Sequence, residues 1–279
     1  LKILVTGSNG QLGIDIVNTL SKKYEVVGLD SKDLDITNLD NVLNTVKEIK
    51  PDIIINSAAY TNVDGCEENI DLAYKVNGLG ARNLAISSFE NNSRLLHIST
   101  DFVFDGEKNE PYIEFDNTNP LSIYGKSKLA GENYIKEICP RHYILRTAWL
   151  YGKNGNNFVK TMLRLAENNK TLKVVDDQIG SPTYTMDLVK VIEMIIKTDA
   201  YGTYHVSNDG SCSWNEFAKK IFEFADFKDI QVLPISTEEF GRPAQRPKYS
   251  VMRNYMLELD FNYYIRNWEE ALKEYFSKM

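Results

Sequence analysis

Tyr124 and Lys128 stand four residues apart in the run Ile123-Tyr124-Gly125-Lys126-Ser127-Lys128. On a helix that spacing puts both side chains on one face. An ammonium beside a phenol favours the phenolate and lowers the tyrosine pKa. Such a tyrosine gives or takes a proton near neutral pH while a neighbouring group moves a hydride. The spacing alone means little, because lysines and tyrosines often share a helix face. Two other segments make it specific. The chain opens with Ile3-Leu4-Val5-Thr6-Gly7-Ser8-Asn9-Gly10-Gln11-Leu12-Gly13, and an apolar run later ends in Ser99-Thr100-Asp101.

The opening predicts a dinucleotide site. Gly7, Gly10 and Gly13 are spaced three apart between an expected strand and an expected helix. Glycine permits the tight turn and a close approach of backbone to a pyrophosphate. The helix start behind it offers free N–H groups and a positive dipole end. The bland alternative is an ordinary glycine-rich turn. Asp30 ends the next apolar run, where a carboxylate accepts from adenosine ribose hydroxyls and repels a 2′-phosphate. Lys32 offsets that repulsion, so the expectation leans to NADH with NADPH tolerated. Asp30 as a simple turn residue is the alternative. Asp35 and Ile36 are placed against the adenine. Ser57-Ala58-Ala59-Tyr60 follows a third apolar run, and its small residues suit either contact with a cofactor or close helix–strand packing. In Ser99-Thr100-Asp101 a hydroxyl can orient a substrate carbonyl. The same residue types also cap helices and turns. With Tyr124 and Lys128 downstream, the catalytic reading is preferred.

These residues need elements to hold them. Residues 2–6, 24–29, 52–56, 95–99 and 142–146 read as strands. They alternate with helical patterns at 11–21, 39–47, 72–89 and 122–138. That alternation predicts an α/β fold, a doubly wound parallel sheet of Rossmann type with its site at the carboxyl ends of the strands. Residues 1–150 read as the dinucleotide-binding domain. Residues 151–279 read mainly as a smaller substrate lobe whose strands are free to return to the main sheet. Helices are expected there at 157–168, 186–197, 214–225 and 268–276, with extended runs at 172–175 and 204–207.

Composition narrows the class. The 279 residues are 43% hydrophobic and 25% charged, as in ordinary globular proteins. A net charge of -7 argues against a nucleic-acid surface. No stretch is long and apolar enough to span a membrane. The start of the chain shows no basic-plus-apolar leader. Cys66, Cys139 and Cys212 form neither a metal pattern nor a disulfide framework, which fits a reducing cytoplasm. His97, His142 and His205 are scattered, and none is assigned to a metal.

The glycine turn, the Ser-Thr-Asp strand end and the Tyr-x-x-x-Lys pair together resemble the extended short-chain dehydrogenase/reductases. Among them the chain is most similar to the dTDP-4-dehydrorhamnose reductase family. The resemblance runs through Gly10-Gln11-Leu12-Gly13, Pro51-Asp52-Ile53-Ile54-Ile55-Asn56, Ser99-Thr100-Asp101-Phe102-Val103-Phe104-Asp105-Gly106 and Pro120-Leu121-Ser122-Ile123-Tyr124-Gly125. It continues through Arg146-Thr147-Ala148-Trp149-Leu150-Tyr151-Gly152, Gly155-Asn156-Asn157-Phe158-Val159-Lys160-Thr161-Met162 and Asp177-Gln178-Ile179-Gly180-Ser181-Pro182-Thr183. It implies reduction of a nucleotide-linked 4-keto-6-deoxy sugar by NADH or NADPH, in a pathway to cell-surface polysaccharide. Tyr124 would donate the proton, Lys128 would tune it and touch the ribose, and Thr100 would be the hydroxyl partner. Gly7, Gly10, Gln11, Leu12, Gly13, Asp30, Asp35, Ile36, Ala58, Ala59, Tyr60 and Ser99 would line the cofactor. Thr100, Asp101, Tyr124 and Trp149 would meet the substrate, although the residue type alone makes Trp149 a core filler. The resemblance also implies a magnesium-bridged homodimer. Asp15 stands where a glutamate is expected on the first helix, so magnesium stays open and no metal residue is assigned.

Two other readings compete. A nucleotide-sugar dehydratase or epimerase has the same fold, but dehydratases resemble Thr-Asp-Glu at the strand end. Phe102 here cannot serve as acid or base. A regulatory subunit resembling the reductase-like partner of methionine adenosyltransferase would have no need of Thr100, Tyr124 and Lys128. The loops at 178–183 and 242–254 are expected to hold the anionic nucleotide, with Arg246 and Lys248 supplying charge.

Overall fold

The computed structural model describes residues 1–279. Its centre is a six-stranded parallel sheet. The strands are β1 (Lys2–Thr6), β2 (Glu25–Leu29), β3 (Ile53–Asn56), β4 (Arg94–Thr100), β5 (His142–Thr147) and a sixth, Gly202–His205. From one edge the order is the sixth strand, β5, β4, β3, β1, β2. All pairings are parallel. The order reverses between β1 and β3, so the ligand crevice of such a sheet opens there. The fold is the doubly wound Rossmann type expected. The sixth strand comes from beyond residue 150 and pairs with β5 from Gly202 opposite Tyr143 to His205 opposite Arg146.

Why the apolar runs became central strands is visible in their alternation. Ile3, Val5, Ile53, Ile55 and Leu96 face one core, with Ile16 and Leu20 of the Gln11–Leu20 helix and Leu188, Val191 and Ile192 of the Thr185–Ile195 helix. Leu4, Ile54, Leu95 and Ile144 face the other, with Val42, Val46, Leu84 and Ala85. Both faces are covered, which is why these strands read as continuous apolar runs. A third, aromatic core lies beyond residue 150, built on Tyr151, Phe217, Trp268 and Tyr275.

One expected helix is broken. Residues 72–89 are not continuous α-helix: a short turn at Ile70–Ala73 passes into a π-helical stretch, Tyr74–Gly80, before the Ala81–Glu90 helix. Asn77 in the wide turn accepts from the Tyr60 N–H at 2.8 Å and donates to the Tyr60 carbonyl at 3.1 Å and the Ser127 hydroxyl at 3.0 Å. Tertiary contacts thus fix a feature that periodicity does not carry. No helix is long and apolar enough to cross a membrane. All three cysteines are buried and unpaired.

Candidate active site

The carboxyl ends of β1 and β3 meet tightly. Gly7 has φ +68°, and a Cβ there would lie 2.7 Å from the Ala58 nitrogen. A Cβ on Gly13 would lie 2.1 Å from the Gly7 carbonyl oxygen. The close approach therefore needs glycine at both positions. Gly10 is the N-cap of the Gln11–Leu20 helix, and no side chain caps that end. The uncapped N–H groups and the dipole fit the pyrophosphate of a dinucleotide.

Beside this turn opens a cavity of about 520 Å³. Gly10, Gln11, Leu12, Gly13 and Ala59 form one wall, and Ser99, Thr100, Asp101, Tyr124 and Lys128 another. Trp149 lines it from the side. Sequence-predicted residues from five separate segments thus come together. Gly7 shapes the turn from beneath. Asp30, Asp35, Ile36, Ala58 and Tyr60 lie outside this wall. Asp30 ends β2 at the surface, accepting from Asn9 Nδ2 at 2.5 Å and the Lys32 N–H at 2.8 Å. Asp35 accepts from the Thr37 N–H and hydroxyl. Ile36 is buried under Gly80, and Ala58 packs beside that same core. The Tyr60 backbone is clamped by Asn77.

Tyr124 is placed by the start of its helix. Ser122 caps Ile123–Ile138, its hydroxyl accepting from the Gly125 N–H at 3.2 Å. A Cβ on Gly125 would sit 2.2 Å from the Phe102 carbonyl oxygen, so the helix start lies hard against the chain leaving β4. The Phe102 ring meets Tyr124 edge-on at 5.5 Å. Thr100 Oγ1 donates to Asp101 Oδ1 at 3.0 Å and accepts from the Phe102 N–H at 3.2 Å. It caps the short 3₁₀ turn Asp101–Val103 and also lines the cavity.

The electrostatics differ from the expectation for Tyr124. Its phenol pKa is raised, not lowered: burial is the main cause, Thr100 opposes it, and Asp101 and Cys66 add to it. Lys128 lines the same cavity, and its Nζ donates to the Ile98 carbonyl at 2.6 Å and lies 3.2 Å from His97 Nε2. It is not among the groups that shift the phenol, so sharing a helix face does not by itself couple the two side chains. Ser99 is likewise committed elsewhere, donating to Glu132 Oε1 at 2.6 Å. Glu132 is fully buried and paired with Arg146.

The opposite wall was only half expected. Trp149 has φ +45° and stacks on Trp214 with ring centres 3.5 Å apart and planes 7° from parallel. A Cβ on Gly180 would lie 2.5 Å from the Trp149 ring. Trp214 Nε1 donates to Gln178 Oε1 at 3.2 Å. Trp214, Phe158 and Asn156 line the cavity and were not anticipated. Trp214 reads in sequence as one more residue at the start of an amphipathic helix. Gln178, expected on a nucleotide loop, accepts this bond and braces the indole. Arg246 reaches the cavity, but its guanidinium is bidentate on Asp64, with both bonds 3.1 Å. Lys248 is exposed and outside the wall.

The family model described as RmlD substrate binding domain matches residues 1–279. This chain belongs to the RmlD family. It is 46% identical over 277 residues to the spore coat polysaccharide biosynthesis protein SpsK of Bacillus subtilis strain 168, covering 98% of this chain and 96% of that one. It is 43% identical over 285 residues to a dTDP-4-dehydrorhamnose reductase of Aggregatibacter actinomycetemcomitans, covering 98% and 97%. Among solved structures, dTDP-4-dehydrorhamnose reductase of Bacillus anthracis strain Ames in complex with NADP superposes with a TM-score of 0.98 at 52% identity, covering 100% of this chain and 99% of the other.

In this RmlD-family chain Asp15 lies on the Gln11–Leu20 helix. It is 7% exposed, and Oδ1 accepts from Asn154 Nδ2 at 2.8 Å. Its other oxygen is buried without a partner. No three His, Cys, Asp or Glu side chains gather to hold an ion.

Asp101 gives the site a measurable pH signature. Burial pushes its carboxyl from the ordinary 3.8 up to about 6. A raised folded-state pKa contributes stability below the unfolded value, lost as pH rises through the folded one. Between pH ~4 and ~6 the wild type should lose roughly 2–3 kcal/mol relative to Asp101→Asn. Urea unfolding of both proteins at pH 4 and pH 7 checks this. A gap of the same size at both pH values contradicts it.

Proposed function

We propose that this chain reduces the C4 ketone of a dTDP-linked 4-keto-6-deoxy sugar, dTDP-4-dehydro-L-rhamnose, to dTDP-L-rhamnose with NADH or NADPH. The observation that carries the reading is the cavity itself. It brings Tyr124 and Thr100 together between an uncapped helix start and an indole wall. The nicotinamide supplies the hydride. Tyr124 supplies the proton to the C4 oxygen, and its raised pKa keeps it protonated, as reduction requires. Thr100 orients the carbonyl, and Lys128 supports Tyr124 and the ribose. Gln11 and Leu12 back the cofactor. Trp149, stacked on Trp214, gives the sugar a flat wall, with most of the substrate side coming from residues 151–279. Arg246 meets the nucleotide's phosphates while sharing Asp64. Phe102 leaves the strand end without the acid or base that elimination would need. The product would feed a surface polysaccharide, in keeping with the name of the spore coat relative.

Oxidation of NADPH and NADH by the purified chain over a panel of nucleotide 4-keto sugars tests the reading. Turnover with dTDP-4-dehydrorhamnose and formation of the alcohol are expected. No oxidation with any member would favour a non-catalytic subunit.

The choice of cofactor turns on Asp30. Its carboxylate at the end of β2 suits ribose hydroxyls, yet the 52%-identical relative is in complex with NADP. Both cofactors are therefore expected to serve. Asp30→Ala removes the ribose acceptor and the repulsion of a phosphate together. The ratio of specificity constants should move ~10-fold toward NADPH, the worth of one hydrogen bond to a charged group. A constant ratio would mean that Asp30 does not read the ribose.

A further inference from the structure

A line of buried polar groups runs beneath the cavity and ends on Lys128. Thr6 Oγ1 donates to Asn56 Oδ1 at 2.8 Å, and the Ala58 N–H donates to the same oxygen at 3.1 Å. Asn56 Nδ2 lies 2.9 Å from His97 Nδ1, and His97 Nε2 lies 3.2 Å from Lys128 Nζ. Asn56, His97 and Lys128 are each at most 2% exposed, so water offers no alternative partner.

Donor and acceptor matching orders this line. A backbone N–H only donates, so the atom facing Ala58 is the Asn56 oxygen, and the amide nitrogen faces His97. His97 Nδ1 must then accept. The single proton of a neutral imidazole is left on Nε2, pointing at Lys128. An ammonium has no lone pair to receive it, whereas a free amine does. Nζ still donates to the Ile98 carbonyl at 2.6 Å in that form.

We infer that His97 is a positioning residue for Lys128, pairing through Nε2–H with the lysine as a free amine, so that protonating Lys128 breaks this contact and frees Nζ to turn toward the cavity. Lys128 then has two stations. As an amine it is docked under β4, and as an ammonium it is released toward Tyr124 one helical turn away. One proton moves from solvent to Nζ, and none leaves the imidazole.

The surroundings agree. Burial holds the imidazole well below its usual range, hence neutral. Burial also brings Lys128 down to about 8, with Glu132 on the next turn opposing. Glu132 is itself neutralised by Arg146 from β5 and Lys136 from its own helix. Tyr124 lies a turn back on the same helix, with Asp101 after β4 and Cys66 of the Val63–Glu68 helix beside it. Of all these only His97 lies within hydrogen-bond distance of Nζ.

The test uses the ligand-free wild type and does not depend on the reductase reading. In protein labelled with [ε-13C]lysine, the signal lost in Lys128→Gln identifies this residue. Its titration midpoint should fall near 8, well below the other lysines at ~10.4. Histidine 15N spectra at pH 9 should show His97 protonated on Nε2 and bare on Nδ1. In His97→Gln the side-chain oxygen can accept from an ammonium, and the Lys128 midpoint should rise by ~1 unit or more, tenfold in proton affinity. A wild-type midpoint among the ordinary lysines, or a His97 proton on Nδ1, overturns the proposal. So does an unchanged midpoint in a folded His97→Gln protein. Should that variant not fold, the two wild-type measurements decide alone.

Discussion

Replacing Tyr124 by phenylalanine is expected to cut turnover by ~100-fold or more, the usual scale of lost general acid catalysis. Cofactor binding should change little. The ring is kept, and with it the edge-on contact with Phe102 at 5.5 Å. Only the phenol hydroxyl goes, and with it the group opposite Thr100 that can hand a proton to a new alkoxide. The raised pKa of Tyr124 sharpens the expectation. A phenol held above its ordinary value is protonated across the whole neutral range, so wild-type reduction should not rise with pH in the way a phenolate-requiring step would. Steady-state kinetics with saturating reduced cofactor, beside a fluorescence titration of that cofactor, separates the two effects. Near-wild-type turnover in the variant would falsify the assignment of Tyr124 as the acid.

How far the sequence reaches can be judged from such residues. β1, β3, β4 and β5 were legible because apolar side chains on both faces leave an uninterrupted run. The helix at 122–138 was legible from its local pattern, and Ser122 proves to be its cap. Tyr124 and the glycines were legible for the same reason. What was not legible depends on contacts distant in the chain. The π-helical turn at Tyr74–Gly80 exists because Asn77 reaches Tyr60 and Ser127. The Val63–Glu68 helix is six residues of mostly polar sequence, below what periodicity can detect. Trp214 was only the first residue of an expected helix, and its part in the cavity wall depends on Trp149 stacked against it. The partner of Lys128 was missed because His97 is a lone histidine in an apolar strand. Lone buried histidines are usually satisfied core residues, and nothing in the spacing sets this one apart.

Arg146 and Glu132 escaped notice for a related reason, and removing one of them should have the largest effect on stability. Arg146 on β5 binds Glu132 through Nε at 3.0 Å and a terminal nitrogen at 2.7 Å, and the two side chains are 3% and 0% exposed. Glu132 lies on the helix that carries Tyr124 and Lys128, so the pair ties that helix to the sheet. Burial alone would raise the Glu132 pKa, but Arg146 outweighs it and brings the carboxyl down to about 2. Arg146→Met leaves a buried carboxylate with the Ser99 hydroxyl and Lys136 as partners. A loss of ~3–5 kcal/mol at pH 7 is expected, the usual cost of stranding one member of a buried pair. The sign of the pH dependence follows. In the wild type the folded-state pKa is depressed, so the pair's contribution is present above the ordinary 4.5 and lost only as pH falls toward 2. In the variant, burial lifts the pKa, and protonation relieves the strain as pH drops. The gap between the two proteins should therefore be widest near neutral pH and narrow toward pH 4. Arg146→Met combined with Glu132→Gln should recover much of the loss, since no charge is left stranded. Urea unfolding of the two single variants and the double variant at both pH values gives the coupling directly. A single variant within ~1 kcal/mol of wild type at pH 7, with no change on acidification, would mean that Glu132 finds solvent and that the helix does not depend on this pair.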